Sequence, residues 1–193
     1  EASRLERITE DLLRLTRLDS GAVDPAVRVE VKPVLERASR MLQPVAKERG
    51  VTLRCQAEDA AAVLATSGDV HQILYNLMEN GVKYTPAGGT IWFRGWEENN
   101  EVTLAIRNSG KGIAKKELSH VFERFYKVDK SRGTDKMGAG LGLYLVKTII
   151  SLHGGQITVR SVEGQYTEFS FTLTAHRRPP ERSEGKERRE HKD

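Results

Sequence analysis

The sequence predicts an α+β fold, a two-layer sandwich in which a mixed sheet carries helices on one face. Three observations predict it. Helical periodicity and strand-like alternation both recur along the 193 residues. Strand-like runs occur in neighbouring pairs at two places. The strict strand–helix alternation of a doubly wound fold is missing.

In "EASRLERITEDLLRLTRLDSG", Leu5, Ile8, Leu12 and Leu15 recur at spacings of three and four, and Gly21 is a C-terminal stop. The segment is short and highly charged on its other faces, so it is expected to need a partner helix. "GAVDPAVRVEV" reads as a linker with an extended piece. "VKPVLERASRMLQPVAKERG" is a second helix with Val34, Leu35, Ala38, Leu42 and Val45 on one face. "VTLRCQ" alternates like a strand, and "AAVLATSGD" is an apolar run ending in turn residues. "VHQILYNLMENGVKYTP" is a third helix, stopped at Pro86. "GTIWFRGWEE" and "NEVTLAIRN" pair around Asn99 and Asn100. A short helix through "KKELSHVFERF" and a polar stretch, "KVDKSRGTDKMGAG", precede the apolar helix "LGLYLVKTIISLH". "GQITVRSV" and "TEFSFTLT" close the sheet as a strand pair.

Composition narrows the function classes. The chain is 38% hydrophobic and 30% charged, with net charge +4. The segment after Thr174 holds seven Lys/Arg against five Asp/Glu, so half of that net charge lies in an almost wholly polar tail expected to be disordered. No basic stripe interleaved with aromatics supports nucleic-acid binding. No run of 18 apolar residues offers a membrane span. The single cysteine, Cys55, excludes an internal disulfide framework and fits a reducing, cytoplasmic setting. Glu1 in place of Met suggests a piece of a longer protein.

Chemistry concentrates in three places. On the third helix, at about 100° per residue, Asn76, Asn80 and Lys83 share the side opposite Ile73, Leu74, Leu77, Met78 and Val82, and Tyr84 borders them. An amide oxygen suits Mg²⁺, a hard cation, and a lysine suits phosphate. A solvated polar face is the alternative. In "AIRNSGKGI", Asn108, Gly110 and Gly112 form a loop that something flat or phosphorylated could approach. "GAGLGL" is neither a dinucleotide fingerprint nor a Walker A loop. It nevertheless leads glycines into a helix, whose N-terminus offers free N–H groups to an anion.

In this order, the three features resemble the ATP-binding catalytic domain of bacterial sensor histidine kinases, within the Bergerat-type ATPase superfamily that includes DNA gyrase. "NLMENGVKYTP" is similar to the family's N box, "NSGKGI" to its G1 box, "FERFYKVD" to its F box and "GAGLGLYLVKTIISLHGGQI" to its G2 box. The resemblance implies a Bergerat fold over residues 30–174. Residues 1–21 resemble the second helix of the dimerisation and phosphoacceptor hairpin, 22–29 a linker and 175–193 a charged tail. His71, His120, His153, His176 and His191 all lack a phosphoacceptor context.

The resemblance also implies roles. Asn80 would ligate Mg²⁺ bridging the ATP phosphates, Lys83 would meet a phosphate and Tyr84 would line the pocket. Asn108 takes the place usually held by an aspartate that accepts from the adenine amino group. Gly110, Gly112 and Ile113 would lie along the base, and Thr167 would support Asn108 directly or through water. Phe122 and Phe125 would anchor a lid over residues 127–139, with Arg124 and Lys127 near the phosphates. Gly138, Gly140, Leu141 and Gly142 would cradle the phosphates. Asn76 stands where gyrase-like hydrolases carry a water-activating glutamate, which disfavours a hydrolytic clamp. Glu79 would assist an acceptor histidine.

The implied activity is therefore transfer of the γ-phosphoryl of Mg-ATP to a histidine on a partner helix, ultimately serving a response regulator. A nucleotide-binding or scaffolding module with weak or no transfer activity is the alternative, raised by Asn108. Exchange of aspartate for an amide costs about 1–2 kcal/mol, or about five- to thirtyfold in affinity. An amide can also present its NH₂ to guanine O6, so looser base discrimination is expected.

Overall fold

The computed structural model describes residues 2–21, 24–57, 61–128 and 140–176. The order of elements is α1 (Ala2–Asp19), β1 (Val27–Glu30), α2 (Val31–Glu48), β2 (Thr52–Ala57), β3 (Ala62–Ala65), α3 (Ser67–Tyr84), β4 (Thr90–Glu98), β5 (Glu101–Ser109), α4 (Gly142–Leu152), β6 (Ile157–Val162) and β7 (Tyr166–Thr174).

The five-stranded sheet runs β2-β4-β5-β7-β6. Only β2–β4 is parallel, so the sheet is mixed. Asn99 and Asn100 both have positive φ, as a two-residue hairpin turn with the right twist requires. The alternation of β4, β5 and β7 buries Ile91, Phe93, Leu104, Ile106, Phe169 and Phe171 beneath α2, α3 and α4. The opposite face carries Arg54, Trp92, Arg107, Glu168 and Arg160 in one cross-strand row. One-sided burial of this kind is what an antiparallel-dominated sheet permits.

The segment read as a linker already contains sheet: β1 starts at Val27 and pairs antiparallel with β3. The residues "TSGD" begin α3. Thr66 caps it by accepting from the Asp69 N–H at 3.0 Å, so a sequence that reads as a turn is a helix start. In α2, Ala46 is buried and Val45 exposed, one step off the expected face. α2 also runs through Pro44 without ending. The short helix expected through "KKELSHVFERF" is absent. The stretch is a chain of turns closed by three-residue bonds such as Glu117 N–H to Ala114 O and His120 N–H to Glu117 O. The expected tail and most of the expected lid lie outside the described residues.

α1 is half docked. Leu15 is buried in the core and Ile8 and Leu18 pack against it. Leu5, Leu12 and Leu13 are exposed. The four-residue seam therefore splits between the domain and solvent, so the expected need for a partner helix applies to only part of it.

Candidate functional site

Three segments converge at one end of the fold. The first is the C-terminal half of α3. Ile73, Leu74, Leu77, Met78 and Val82 are buried, which leaves Asn76, Glu79, Asn80 and Lys83 half-buried along the other side. Tyr84 is exposed, with the Lys83 ammonium 4.8 Å from its ring centroid. The helix is tied off by the Thr85 hydroxyl donating to Gly81 O at 2.6 Å and by Arg49 donating to Val82 O and Lys83 O.

The second segment leaves β5 at Asn108. Its loop is stapled on both sides. An added Cβ on Gly110 would stand 3.0 Å from Pro86 Cδ and 3.1 Å from Tyr84 O, so the loop abuts the end of α3. Gly112, at φ +69, passes so near the β6–β7 turn that a Cβ would stand 2.4 Å from Val162 O. Ile113 N–H donates to Ser161 Oγ at 2.8 Å, and the Ser161 hydroxyl donates to Tyr166 O. Asn108 is only 7% exposed and sits opposite Thr167 in the ladder. Its amide NH₂ is assigned to Ser109 O at 3.2 Å, which leaves Oδ1 as an acceptor. The Thr167 hydroxyl meets Ser161 Oγ at 3.0 Å instead of Asn108. Thr167 thus neighbours Asn108 across the ladder and makes no direct side-chain bond to its amide.

The third segment is the start of α4. Leu141, its N-cap, makes no side-chain cap, so the first N–H groups of the helix are not covered by one. Gly140 has φ +77 and accepts from Phe125 N–H at 3.0 Å. Asn76 lies beneath Gly142, its amide atoms 3.8–4.0 Å from the position a Cβ would take, and its Nδ2 is buried without a hydrogen-bond partner. Leu141 contributes backbone to this end, because its side chain belongs to the core.

The turns before α4 hold the aromatics and cations. Phe122 packs edge-on to Phe169, with ring centroids 6.0 Å apart. Phe125 does not pack: it is 61% exposed and adopts φ 62, so Phe122 and the buried Val121 hold this stretch to the core instead. Arg124 stacks on Tyr144, donates to its hydroxyl at 2.9 Å and reaches Asp19 of α1 at 3.3 Å. The Tyr144 hydroxyl and the Asp19 carboxylate both hold the guanidinium charged, more than solvent exposure alone would. Lys127 is half-buried at the end of the described stretch, and Gly138 lies outside the described residues.

One cluster has no local signal in the sequence. Asp69, in the first turn of α3, takes the His153 ring at 2.8 Å and the Arg14 guanidinium of α1. The Asp69 and His153 side chains are 7% and 4% exposed. Burial pushes the Asp69 carboxyl up, but hydrogen bonds from His153 and Thr66 and the charge of Arg14 outweigh it and hold the group below its usual 3.8. These residues stand 55 and 84 positions apart in the chain.

Two features of the α3–α4 end suit a magnesium-bound triphosphate. An orphaned amide donor and a glycine without a side chain face the same place. No group of three His, Cys, Asp or Glu that could hold a metal by itself exists among the described residues. Asn80, half-buried one turn beyond Asn76 on α3, offers an amide oxygen of the kind that suits a hard cation.

Comparison with known proteins bears on the same region. The sequence model of the histidine kinase-, DNA gyrase B-, and HSP90-like ATPase family matches residues 65–177. The sensor protein SrrB of Staphylococcus aureus is 35% identical over 176 residues, 90% of this chain and 30% of that protein. The chain thus spans about 30% of the length of the curated relatives it matches. Full-length ShkA, solved in complex with AMPPNP, superposes with a TM-score of 0.77 at 29% identity, over 89% of this chain and 36% of that one. The mycobacterial sensor histidine kinase MprB gives a TM-score of 0.67 at 25% identity, over 78% of this chain and 98% of that one.

Proposed function

Because the chain belongs to the histidine kinase-, DNA gyrase B-, and HSP90-like ATPase family and carries the catalytic ATPase domain of a sensor histidine kinase, we propose that it binds Mg-ATP between α3, the Asn108 loop and α4 and passes the γ-phosphoryl to a histidine on a separate helix. The observation that carries this reading is the meeting of Asn76 with the uncapped start of α4 at Gly142, with a buried acceptor amide at the other end.

The residues divide the work. Asn108 Oδ1 accepts from the adenine amino group, while the backbone at Gly110, Gly112 and Ile113 lies along the base. Lys83 and Tyr84 border the pocket. The N–H groups at Gly140, Leu141 and Gly142 receive phosphate oxygens, aided by the positive end of the α4 dipole. Arg124, Lys127 and Gly138 complete the phosphate side. When bound, Mg²⁺ neutralises charge that builds on the phosphates, and Asn80 is the residue that holds it.

Phosphoryl transfer asks mainly for positioning and charge neutralisation. The bond from the γ-phosphorus to its bridging oxygen breaks, a bond to an imidazole nitrogen forms and ADP leaves. Asn76 has no basic group to take a proton from water, so an external nucleophile is favoured over hydrolysis. Glu79 stands one residue from Asn80 to assist the incoming imidazole. The partners are then ATP, the phosphoacceptor helix of its own dimer and a response regulator, in a cytoplasmic setting. No helix among the described residues is long and apolar enough to cross a membrane.

Titration calorimetry with Mg-ATP tests the reading. Binding with a Kd below the millimolar range is expected. No heat at millimolar nucleotide would sink the proposal. The chain incubated alone with ATP should acquire no acid-labile phosphate, and labelling would relocate the acceptor into it.

A further inference from the structure

Among the described residues, α1 touches the catalytic domain through at least two polar attachments that differ in character. The first rests on buried groups: Asp69 and His153 are almost wholly covered, while Arg14 is half-buried. Arg14 reaches Asp69, Asp69 takes the His153 ring, and Leu15 beside Arg14 is sunk in the core. One carboxylate thereby joins α1, the first turn of α3 and the C-cap of α4. The second is exposed. Asp19, the last residue of α1, meets Arg124 at 3.3 Å with both side chains about half open to solvent. Exposed pairs of this kind hold weakly and yield to a stronger competing charge.

Arg124 belongs to both neighbourhoods. It stacks on Tyr144 in the first turn of α4, and the next residue, Phe125, is bonded through its N–H to Gly140. The guanidinium held by Asp19 therefore touches the first turn of α4 through Tyr144, next to its uncapped start. A polyphosphate seated there carries more negative charge than one carboxylate, so it draws Arg124 away from Asp19.

We propose that Asp19–Arg124 is a nucleotide-sensitive pin and Arg14–Asp69–His153 a fixed pivot, so that occupancy of the α4 end releases the tail of α1 and lets the helix turn about Arg14 and Leu15. The proposal rests on the nucleotide reading of that end. The lever arms favour a visible motion. Arg14 to Asp19 spans about 7 Å along the helix and Arg14 to its start about 18 Å, at about 1.5 Å per residue. A small shift at the pin is thus enlarged more than twofold at the other end. In the outer half Leu5, Leu12 and Leu13 are exposed, and Ile8 is the packed side chain that the motion would have to slide over the core.

Electron–electron distance measurement tests this, with Cys55→Ser removing the native thiol and spin labels at Leu5→Cys and Thr158→Cys. Saturating Mg-AMPPNP, with binding confirmed by calorimetry, should shift or broaden the distance distribution. Asp19→Ala should produce the same distribution without nucleotide and bind the nucleotide about two- to fivefold tighter, since the competitor is gone. Arg14→Met should broaden the distribution with and without nucleotide. Binding heat with an unchanged distribution overturns the proposal, as does an unchanged distribution in Asp19→Ala. Absence of binding heat overturns the proposed function and the nucleotide control with it. The Asp19→Ala distribution, which needs no nucleotide, tells that failure apart from failure of the pin.

Discussion

The two ends of the site are built from different material. At the Asn108 end, the positions are set by backbone ladders. Asn108, Thr167 and Ser161 lie across three paired strands, and the loop beyond is bonded to the β6–β7 turn at Gly110, Ile113 and Gly164. At the α4 end, the donors are the first N–H groups of a helix whose orientation is fixed at its far end, by Asp69 on His153. A strand-built end transmits a local change directly into stability. A helix-built end can lose function locally and keep its stability, because its anchor lies 11 residues away.

The largest effect should come from the anchor. Asp69→Ala leaves a buried imidazole and a guanidinium without their carboxylate, a loss of about 3–5 kcal/mol in such pairs. Thermal unfolding should show a midpoint lowered by well over five degrees. The acid limb carries the same information. The folded Asp69 carboxyl lies below its ordinary 3.8, so its contribution is fully present above that value and disappears as pH falls through the lowered one. The variant should therefore lose part of the wild-type slope in acid unfolding. An unchanged midpoint would mean that α4 is oriented by packing alone.

Gly112→Ala comes next and probes the strand-built end. The added methyl would stand 2.4 Å from Val162 O at a backbone angle unsuited to alanine, for a cost of about 2–4 kcal/mol. Stability and nucleotide affinity should fall together in denaturant titration and calorimetry. Asn108→Ala is milder. Losing the bond to Ser109 O costs about 1–2 kcal/mol, and Mg-ATP should bind about five- to thirtyfold more weakly. If the amide alone does the work of an aspartate, the ATP preference over GTP should vanish in this variant.

Gly142→Ala has the smallest effect on stability and sharpens the contrast most. Its methyl would meet only ordinary contacts with Asn76 at 3.8–4.0 Å. Stability should stay level or rise by up to about 0.5 kcal/mol, while Mg-ATP affinity falls about tenfold. If affinity survives, the phosphates do not approach that glycine.

What the sequence made legible follows the same division. The helix faces of α2 and α3, the Asn99–Asn100 hairpin and the glycine loops announce themselves by periodicity or by residues that few other positions need. "TSGD" misled because the residues that favour turns also favour helix N-caps, and only the chain that follows decides between them. The segment through Phe125 misled because its apolar spacing is helical. Positive φ at Phe125 and three-residue bonds resolve it as turns instead. Arg14, Asp69 and His153 were invisible, since their meeting depends on how α1, α3 and α4 pack and no spacing encodes it. The alternation of Trp92, Arg94 and Trp96 likewise becomes a surface only when β4 is placed in register with its neighbours.

The small sheet gives the domain a mechanical property. The chain enters through β1, paired along β3 from Val27 to Glu30, and leaves past β7 at Ala175, bridged to Val63 of the same strand. His176 N–H, bonded to Ala62 O, secures the exit. Tension between whatever precedes and follows the domain is therefore borne across β3, in shear along short ladders. It bypasses the Asn108 loop, whereas pull on α1 itself reaches the α4 end through Arg124 and Asp69.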